Sequence, residues 1–229
     1  MTTLVASDWH LSPESPPLHA RLARAFLERA AAGGESVVLN GDVFEELYFG
    51  PRARAAHPEV VRAMDALARD GRLRTTRGNH DPGAGEERLA LDVPGLGRVL
   101  VAHGDALDPL HASALGRLGD ALSRRLGHLA VVRGAARLAE AAARGVADRR
   151  MREVFRRRCL AVVEREGFTL GVFGHVHAAH LVPGDRYVNA GRLGPRTLVY
   201  VVLGPSGAQL AELRENDLAA RDGIGPEMG

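Results

Sequence analysis

The sequence predicts an α/β fold, and three observations carry that expectation. Short apolar runs end directly on polar residues at four places: 4–6 before Ser7 and Asp8, 37–39 before Asn40, Gly41 and Asp42, 99–102 before His103, and 170–173 before Gly174 and His175. Unbroken runs of this length suit strands buried on both faces. A helical pattern lies between the first two runs, and the polar residues gather at strand carboxyl ends, where open α/β sheets place their sites.

Taken in order, residues 4–6 form the first strand and residues 18–32 a helix with Leu22, Ala25, Phe26 and Ala30 along one face. Residues 37–39 give the second strand. Residues 58–69 give a second helix, with Pro58 at the first position, where no N–H is needed. Residues 99–102 form the next strand. From 106 to 165 the chain turns to Ala, Leu and Arg with few β-branched residues, which predicts two or three helices. This stretch reads as a helical insertion within one domain spanning 1–229. Strands at 170–173, 187–190, 197–203 and 209–213 follow, and the last dozen residues are expected to fray.

At 229 residues, with 45% hydrophobic and 25% charged residues, the chain falls within the range of one globular domain, and its composition excludes wholesale disorder. All 30 basic residues are Arg, yet 28 acids leave a net charge of only +2, so charge alone does not imply nucleic-acid binding. The insertion is different: thirteen arginines, Arg149 and Arg150 among them, face six acids there. Interleaved with Leu, Val and Ala, they suit an anionic lipid surface or a nucleotide diphosphate, with a solvated helix face as the plainer reading. The single Cys159 forms no internal disulfide and favours a reducing compartment. The first residues lack the basic and apolar segments of a secretion signal, so the expected location is cytoplasmic, with room for peripheral contact at the inner face of a membrane.

The polar strand ends carry the chemistry. Asp8 and His10 stand at i and i+2, where one loop turns both toward one cation. Gly41 and Asp42 place a carboxylate at the next strand end, and one Asp can bridge two cations. Gly78, Asn79, His80 and Asp81 add an amide oxygen and a histidine that Asp81 is placed to orient; His103 and Asp105, then His175 and His177, complete the set. Phosphoester hydrolysis needs a nucleophile at neutral pH, charge stabilisation on phosphoryl oxygens and a proton donor. Two divalent cations held by carboxylate, amide and imidazole donors meet the first two needs. Such donors suit Mn²⁺, with Fe²⁺ or Zn²⁺ as alternatives.

This ordered set resembles the calcineurin-like metallophosphoesterase superfamily from Asp8 to His177. The resemblance implies the four-layer α-β-β-α sandwich of the metallo-dependent phosphatase fold, with a lid-like insertion. It implies one cation among Asp8, His10, Asp42 and His177, and a second among Asp42, Asn79, His103 and His175. His80 matches the position of a general acid or transition-state stabiliser. Within the superfamily, the stretches around Ser7 to Leu11 and Gly41 to Glu45, together with the helical insertion, are similar to UDP-2,3-diacylglucosamine pyrophosphatases of the lipid A pathway. At His80 the chain departs from that family, whose members commonly have Arg. Asn79, His80, Arg149, Arg150 and His111 are the candidate substrate contacts, and Asp81 and Glu45 are candidates for supporting the ligands from behind.

The favoured reading is therefore a dinuclear phosphoesterase or pyrophosphatase acting on a UDP-linked lipid. The alternatives are a phosphodiesterase or nuclease of the same superfamily, acting on nucleotides or nucleic acid, and a metal-free scaffold of the same fold. Each single motif is more often a turn than a ligand pair; all five in order reverse those odds. His19, His57, His111, His128 and His180 lie outside the motifs, where a lone His is usually a surface or capping residue. Trp9, Phe44 and Phe49 read equally as packing or as substrate wall.

Overall fold

The computed structural model describes residues 2–113, 119, 121–123, 125–126 and 129–219. Strand β1 (Thr3–Ala6) leads into α1 (Pro17–Gly33) and β2 (Ser36–Asn40), and three helices, α2 (Glu46–Phe49), α3 (Pro51–Ala55) and α4 (Pro58–Arg69), follow. Next come β3 (Leu73–Thr76), β4 (Arg88–Val93), β5 (Gly97–Ala102) and the long α5 (Ala130–Arg165). The chain then forms β6 (Leu170–Phe173), β7 (His180–Leu181), β8 (Tyr187–Asn189), β9 (Thr197–Gly204), β10 (Gly207–Arg214) and α6 (Glu215–Ala219).

The strands make two five-stranded sheets, ordered β10-β9-β1-β2-β3 and β4-β5-β6-β8-β7. β1, β2 and β3 run parallel in the first sheet, and β5, β6 and β8 in the second; antiparallel strands lie at both edges of the second sheet and at the β10 edge of the first. The two-residue period of a strand sends alternate side chains to opposite faces. Leu4, Ala6, Val37 and Leu39 join Leu22, Phe26, Val60 and Leu67 of α1 and α4 in one core. Val5 and Val38 point the other way and meet Val99, Val101 and Val172 between the sheets. On the far side, Leu100 and Phe173 pack with Phe155, Cys159 and Val163 of α5. Three apolar interfaces thus separate four layers, and each fully buried Leu or Phe contributes roughly 1.5–3 kcal/mol.

Helix α1 begins on prolines and stops at Gly34, whose left-handed backbone (φ 70°) caps it. In α4 the buried Val60, Met64 and Leu67 follow the helical i, i+4, i+7 spacing. The insertion is helical, and one of its helices is longer than the rest of the fold's. Of the two or three helices expected, one is a single 36-residue helix from Ala130, and residues 119, 121–123 and 125–126 ahead of it are helical as well. The stretch contains no proline, and its glycines cost only about 1 kcal/mol each. Its carboxyl half is a packed layer of the sandwich. Cys159 sits there fully buried, and burial pushes its thiol pKa up, which makes it an inert core residue. His128 and residues 220–229 lie outside the described residues. No helix among the described residues is long and apolar enough to cross a membrane.

Candidate metal centre

The parallel strands of both sheets deliver their carboxyl ends to one place. There Asp8 (φ 57°), His10 (46°), Asp42 (53°), His175 (68°) and His177 (55°) adopt left-handed backbone, and no other non-glycine residue among those described does so. Asp and His tolerate this region better than bulkier residues, but each such position still costs roughly 1–3 kcal/mol unless its surroundings impose it. Here the strand-end loops impose it. Asp8 N–H donates to Gly41 C=O (3.1 Å), His10 N–H to Asp42 C=O (2.9 Å) and Gly174 N–H to His103 C=O (3.1 Å). A Cβ on Gly78 would overlap the Asp42 carboxylate, and one on Gly174 would overlap Ser7 and Asp8, so glycine is the residue that lets these loops close.

The side chains converge accordingly. His177 Nε2 lies 3.1 Å from Asp8 Oδ1 and 3.0 Å from His10 Nε2, and His10 Nε2 lies 3.7 Å from Asp42 Oδ2. Two imidazole nitrogens facing each other beside two carboxylates form an arrangement that a shared cation relieves. Next to it, His103 Nδ1–H donates to Asn40 C=O (3.0 Å), which turns Nε2 toward Asp42 Oδ2 at 3.2 Å. Asn79 Oδ1 is buried with no hydrogen-bond partner, and His103 Nε2 is buried with only the Asp42 carboxylate beside it, out of hydrogen-bond alignment. Buried polar atoms of this kind are rare in native proteins and call for an ion or a ligand. Ligand atoms of Asp8, His10 and His177, of Asp8, Asp42 and His103, and of His10, Asp42 and His80 each lie within 4.8 Å of one another. The donors are oxygen and nitrogen only, which fits divalent cations of borderline or harder character.

The electrostatics agree with the geometry. Burial opposes charge on Asp42, but the His103, His80 and His10 imidazoles outweigh it and hold its carboxyl well below the usual range. Burial likewise disfavours charge on His103, yet Asp42 and Asp8 raise its pKa well above the ordinary value. Glu45 is opposed by its burial and favoured by His80 and His10, which bring it down to about 2. Its carboxylate spans both rings, accepting from His10 Nδ1–H at 3.1 Å through one oxygen and from His80 Nδ1–H through the other.

Asp81 does something other than the motif suggested. Rather than orienting His80, it accepts backbone N–H groups of Asp42 (2.8 Å), Val43 (2.7 Å), Phe44 (3.3 Å) and Gly78 (3.0 Å), and so fixes the loop that carries Asp42. Burial and the neighbouring Asp42 push its carboxyl up to about 6. The residue that holds His80 is Glu45.

The cluster forms the floor of a cleft of about 670 Å³, also lined by His19, Tyr48, Leu110, His111, Phe155 and Arg192. Arg149 and Arg150 do not line it. They line a neighbouring groove with Arg156 and Arg157, and Arg152 and Val176 border both cavities. Trp9 is buried edge-on against Phe26 at 5.9 Å and also borders the cleft, whereas Phe44 is buried beneath the Arg54 guanidinium and serves packing. His57 donates to Ser12 C=O (2.9 Å), and His180 pairs with Asp185 (3.3 Å). Sequence reading missed Asn40, Asp108, Arg152 and Arg192 as site residues; only Asn40, at a polar strand end, carried a signal.

A family model for calcineurin-like phosphoesterases matches residues 1–179. The chain belongs to that family. Its curated relatives named UDP-2,3-diacylglucosamine hydrolase include one from Aeromonas salmonicida (strain A449), 34% identical over 120 residues that cover 47% of this chain and 46% of the relative. Another, from Sodalis glossinidius (strain morsitans), is 27% identical over 212 residues, covering 81% of this chain and 87% of the relative. The chain spans about half the length of the Aeromonas salmonicida relative and of two others with the same name. Among solved structures, a Vps29 single mutant from Entamoeba histolytica aligns over 93% of this chain and 99% of its own, at 13% identity and a TM-score of 0.49.

Proposed function

We propose that this member of the calcineurin-like phosphoesterase family is a dinuclear metal-dependent phosphoesterase that cleaves the diphosphate of a UDP-linked lipid of the UDP-2,3-diacylglucosamine class. One observation carries the reading: Asp8, His10, Asp42, Asn79, His175 and His177 line one cleft, His103 is buried behind it with Nε2 3.2 Å from Asp42 Oδ2, and five of these seven residues stand on left-handed backbone. Asp8, His10, Asp42 and His177 would hold one cation and Asp42, Asn79, His103 and His175 the other, with Mn²⁺ favoured and Fe²⁺ or Zn²⁺ as alternatives. When bound, such a pair supplies a nucleophile at neutral pH and offsets charge on the phosphoryl oxygens.

The protein's own residues do the rest. Glu45 accepts the His80 Nδ1–H, and the carboxylate favours the doubly protonated ring, whose Nε2–H would pass to the departing phosphate oxygen. Asp81 keeps the Asp42 loop in place through backbone N–H groups, and Asn40 keeps His103 turned inward. Arg152 and Arg192 line the cleft and offer positive charge to the second phosphate, while Leu110, Met151, Phe155 and Val176 provide an apolar wall for the lipid portion. The substrate assignment also draws on the relatives named UDP-2,3-diacylglucosamine hydrolase.

The test is hydrolysis by the purified chain loaded with Mn²⁺, offered UDP-2,3-diacylglucosamine in detergent, an aryl phosphodiester and single-stranded DNA. Release of UMP from the lipid at the highest kcat/KM supports the reading. Preferential, salt-sensitive cleavage of DNA would transfer the chemistry to a nuclease that uses the arginine groove. No turnover of any of the three, with metal bound, would overturn the phosphoesterase assignment.

A further inference from the structure

The two halves of the metal cluster are steadied differently, and the second half depends on a residue outside every motif. His175 Nε2 lies 2.8 Å from Asp108 Oδ2. An ionised carboxylate only accepts, so the ring proton belongs on Nε2, and Nδ1 is left with its lone pair. Asp108 is itself fixed, because its other oxygen accepts the Leu110 N–H at 2.8 Å. The His175 ring is further bounded by His111 at 4.8 Å and Phe155 at 5.8 Å between centroids. Phe155 also packs so closely over Gly104 that a Cβ there would meet its ring.

We propose that Asp108 is a positioning residue for His175: by taking the Nε2–H it presents Nδ1 to the second cation, and it thereby ties the affinity of that cation to the loop at the root of the insertion. The inference rests on the two-cation reading above and adds to it a residue that acts on one cation only. Metal-ligating histidines commonly give their second N–H to a carboxylate, and losing that partner weakens metal binding about 10–100-fold. The loop 105–113 that carries Asp108 leads into the segment ending in α5, and α5 supplies Phe155 to the same ring. A shift of that loop would therefore change the second cation's hold and leave the first cation's ligands in place.

The experiment is a calorimetric titration of the metal-free full chain with Mn²⁺, read beside the tautomer of His175 from two-bond proton–nitrogen NMR spectra of the wild-type protein. The wild type is expected to bind two ions and to show His175 protonated on Nε2. Asp108→Ala should weaken the second ion about 10–100-fold and leave the first unchanged. Asp108→Asn, which keeps an acceptor oxygen for Nε2–H, should recover most of that loss. Two ions bound by Asp108→Ala with wild-type affinities, or His175 protonated on Nδ1 in the wild type, would overturn the role of Asp108 while leaving two-cation binding intact. A wild type that binds fewer than two ions would remove the underlying two-cation reading and this inference with it. The tautomer measurement needs no variant, so it decides the point even where Asp108→Ala fails to fold.

Discussion

The strand-end loops and helix α5 border the same cleft, yet they are built on opposite principles. In the loops almost every polar side chain is buried and doubly held: Asp42 by the backbone geometry around it and by His103, and His103 by Asn40 and Asp42. On α5 the polar residues facing the neighbouring groove are exposed or half-exposed arginines and Glu153, and Arg156 and Arg157 pair with Glu153 and, for Arg156, with the largely buried Asp185. The helix is anchored by Phe155, Cys159 and Val163 on its other side. Loops of this kind fix reacting groups in place; a face of this kind supplies diffuse positive charge. Substitutions on the two sides should differ by orders of magnitude.

The largest effect should come from Asp42→Ala. Asp42 Oδ2 lies 3.7 Å from His10 Nε2 and 3.2 Å from His103 Nε2, and its removal takes a ligand from both proposed cations. Turnover should fall by about 10³-fold or more, equivalent to roughly 4 kcal/mol of transition-state stabilisation, in a steady-state assay with Mn²⁺. Activity near the wild-type level would show that the loops are not the reacting region.

His80→Ala should come next and should depend on the leaving group. A general acid contributes about 10²–10⁴-fold, and most where the departing oxygen is a poor leaving group. The loss in kcat should therefore be large for an alkyl phosphoester and small for a nitrophenyl ester, while a diphosphate, whose departing phosphate is itself a good leaving group, should fall near the nitrophenyl ester. An equal loss on the two esters would make His80 a phosphate-binding residue instead.

How much of this difference was legible in the sequence follows from the same physics. The loop residues could be read because the chemistry demands particular atoms, and β1, β2, β5 and β6 because burial on both faces leaves an unbroken apolar run. β3 and β4 went unread. Arg74 and Arg88 are exposed, and in both strands buried positions stand beside exposed ones, so no continuous run marks them. The two residues of β7 are too short to show any period. Asp108, Arg152 and Arg192 reach the cleft only through tertiary packing, and no spacing announces that. Asp81 was recognised but given the wrong partner, since adjacency in sequence pointed to His80 while the fold turned its carboxylate to backbone N–H groups.

A smaller effect separates Glu45 from Asp81 by pH in the metal-free chain. Glu45 is lowered to about 2 from an ordinary 4.5, so it contributes stability above pH 4.5 that is lost as pH falls toward 2, about 3 kcal/mol at most. Asp81 is raised to about 6 from an ordinary 3.8 and acts with the opposite sign: stability rises as pH falls from 6 toward 3.8. Urea unfolding in the presence of a chelator should show a steeper acid loss below pH 4.5 for the wild type than for Glu45→Gln. Identical slopes would mean that Glu45 does not hold the His10 and His80 rings in the metal-free protein.

The smallest effect should belong to the exposed face of α5, and it sharpens the contrast most. Arg149 and Arg150 are exposed and border only the outer groove, whereas Arg152 borders the cleft itself. Exposed substitutions away from a ligand typically change stability by no more than about 0.5 kcal/mol. The double variant Arg149→Ala with Arg150→Ala should keep kcat and KM for the UDP-linked substrate within about twofold, since neither residue borders the cleft where the reacting groups meet. Arg152→Ala should raise KM about tenfold, the loss of one charge-assisted contact to phosphate, with kcat less affected. The reverse result, a large KM effect from Arg149 and Arg150 and none from Arg152, would move substrate recognition out of the cleft and into the groove. The exposed face of the helix would then rank with the loops in binding, although not in chemistry.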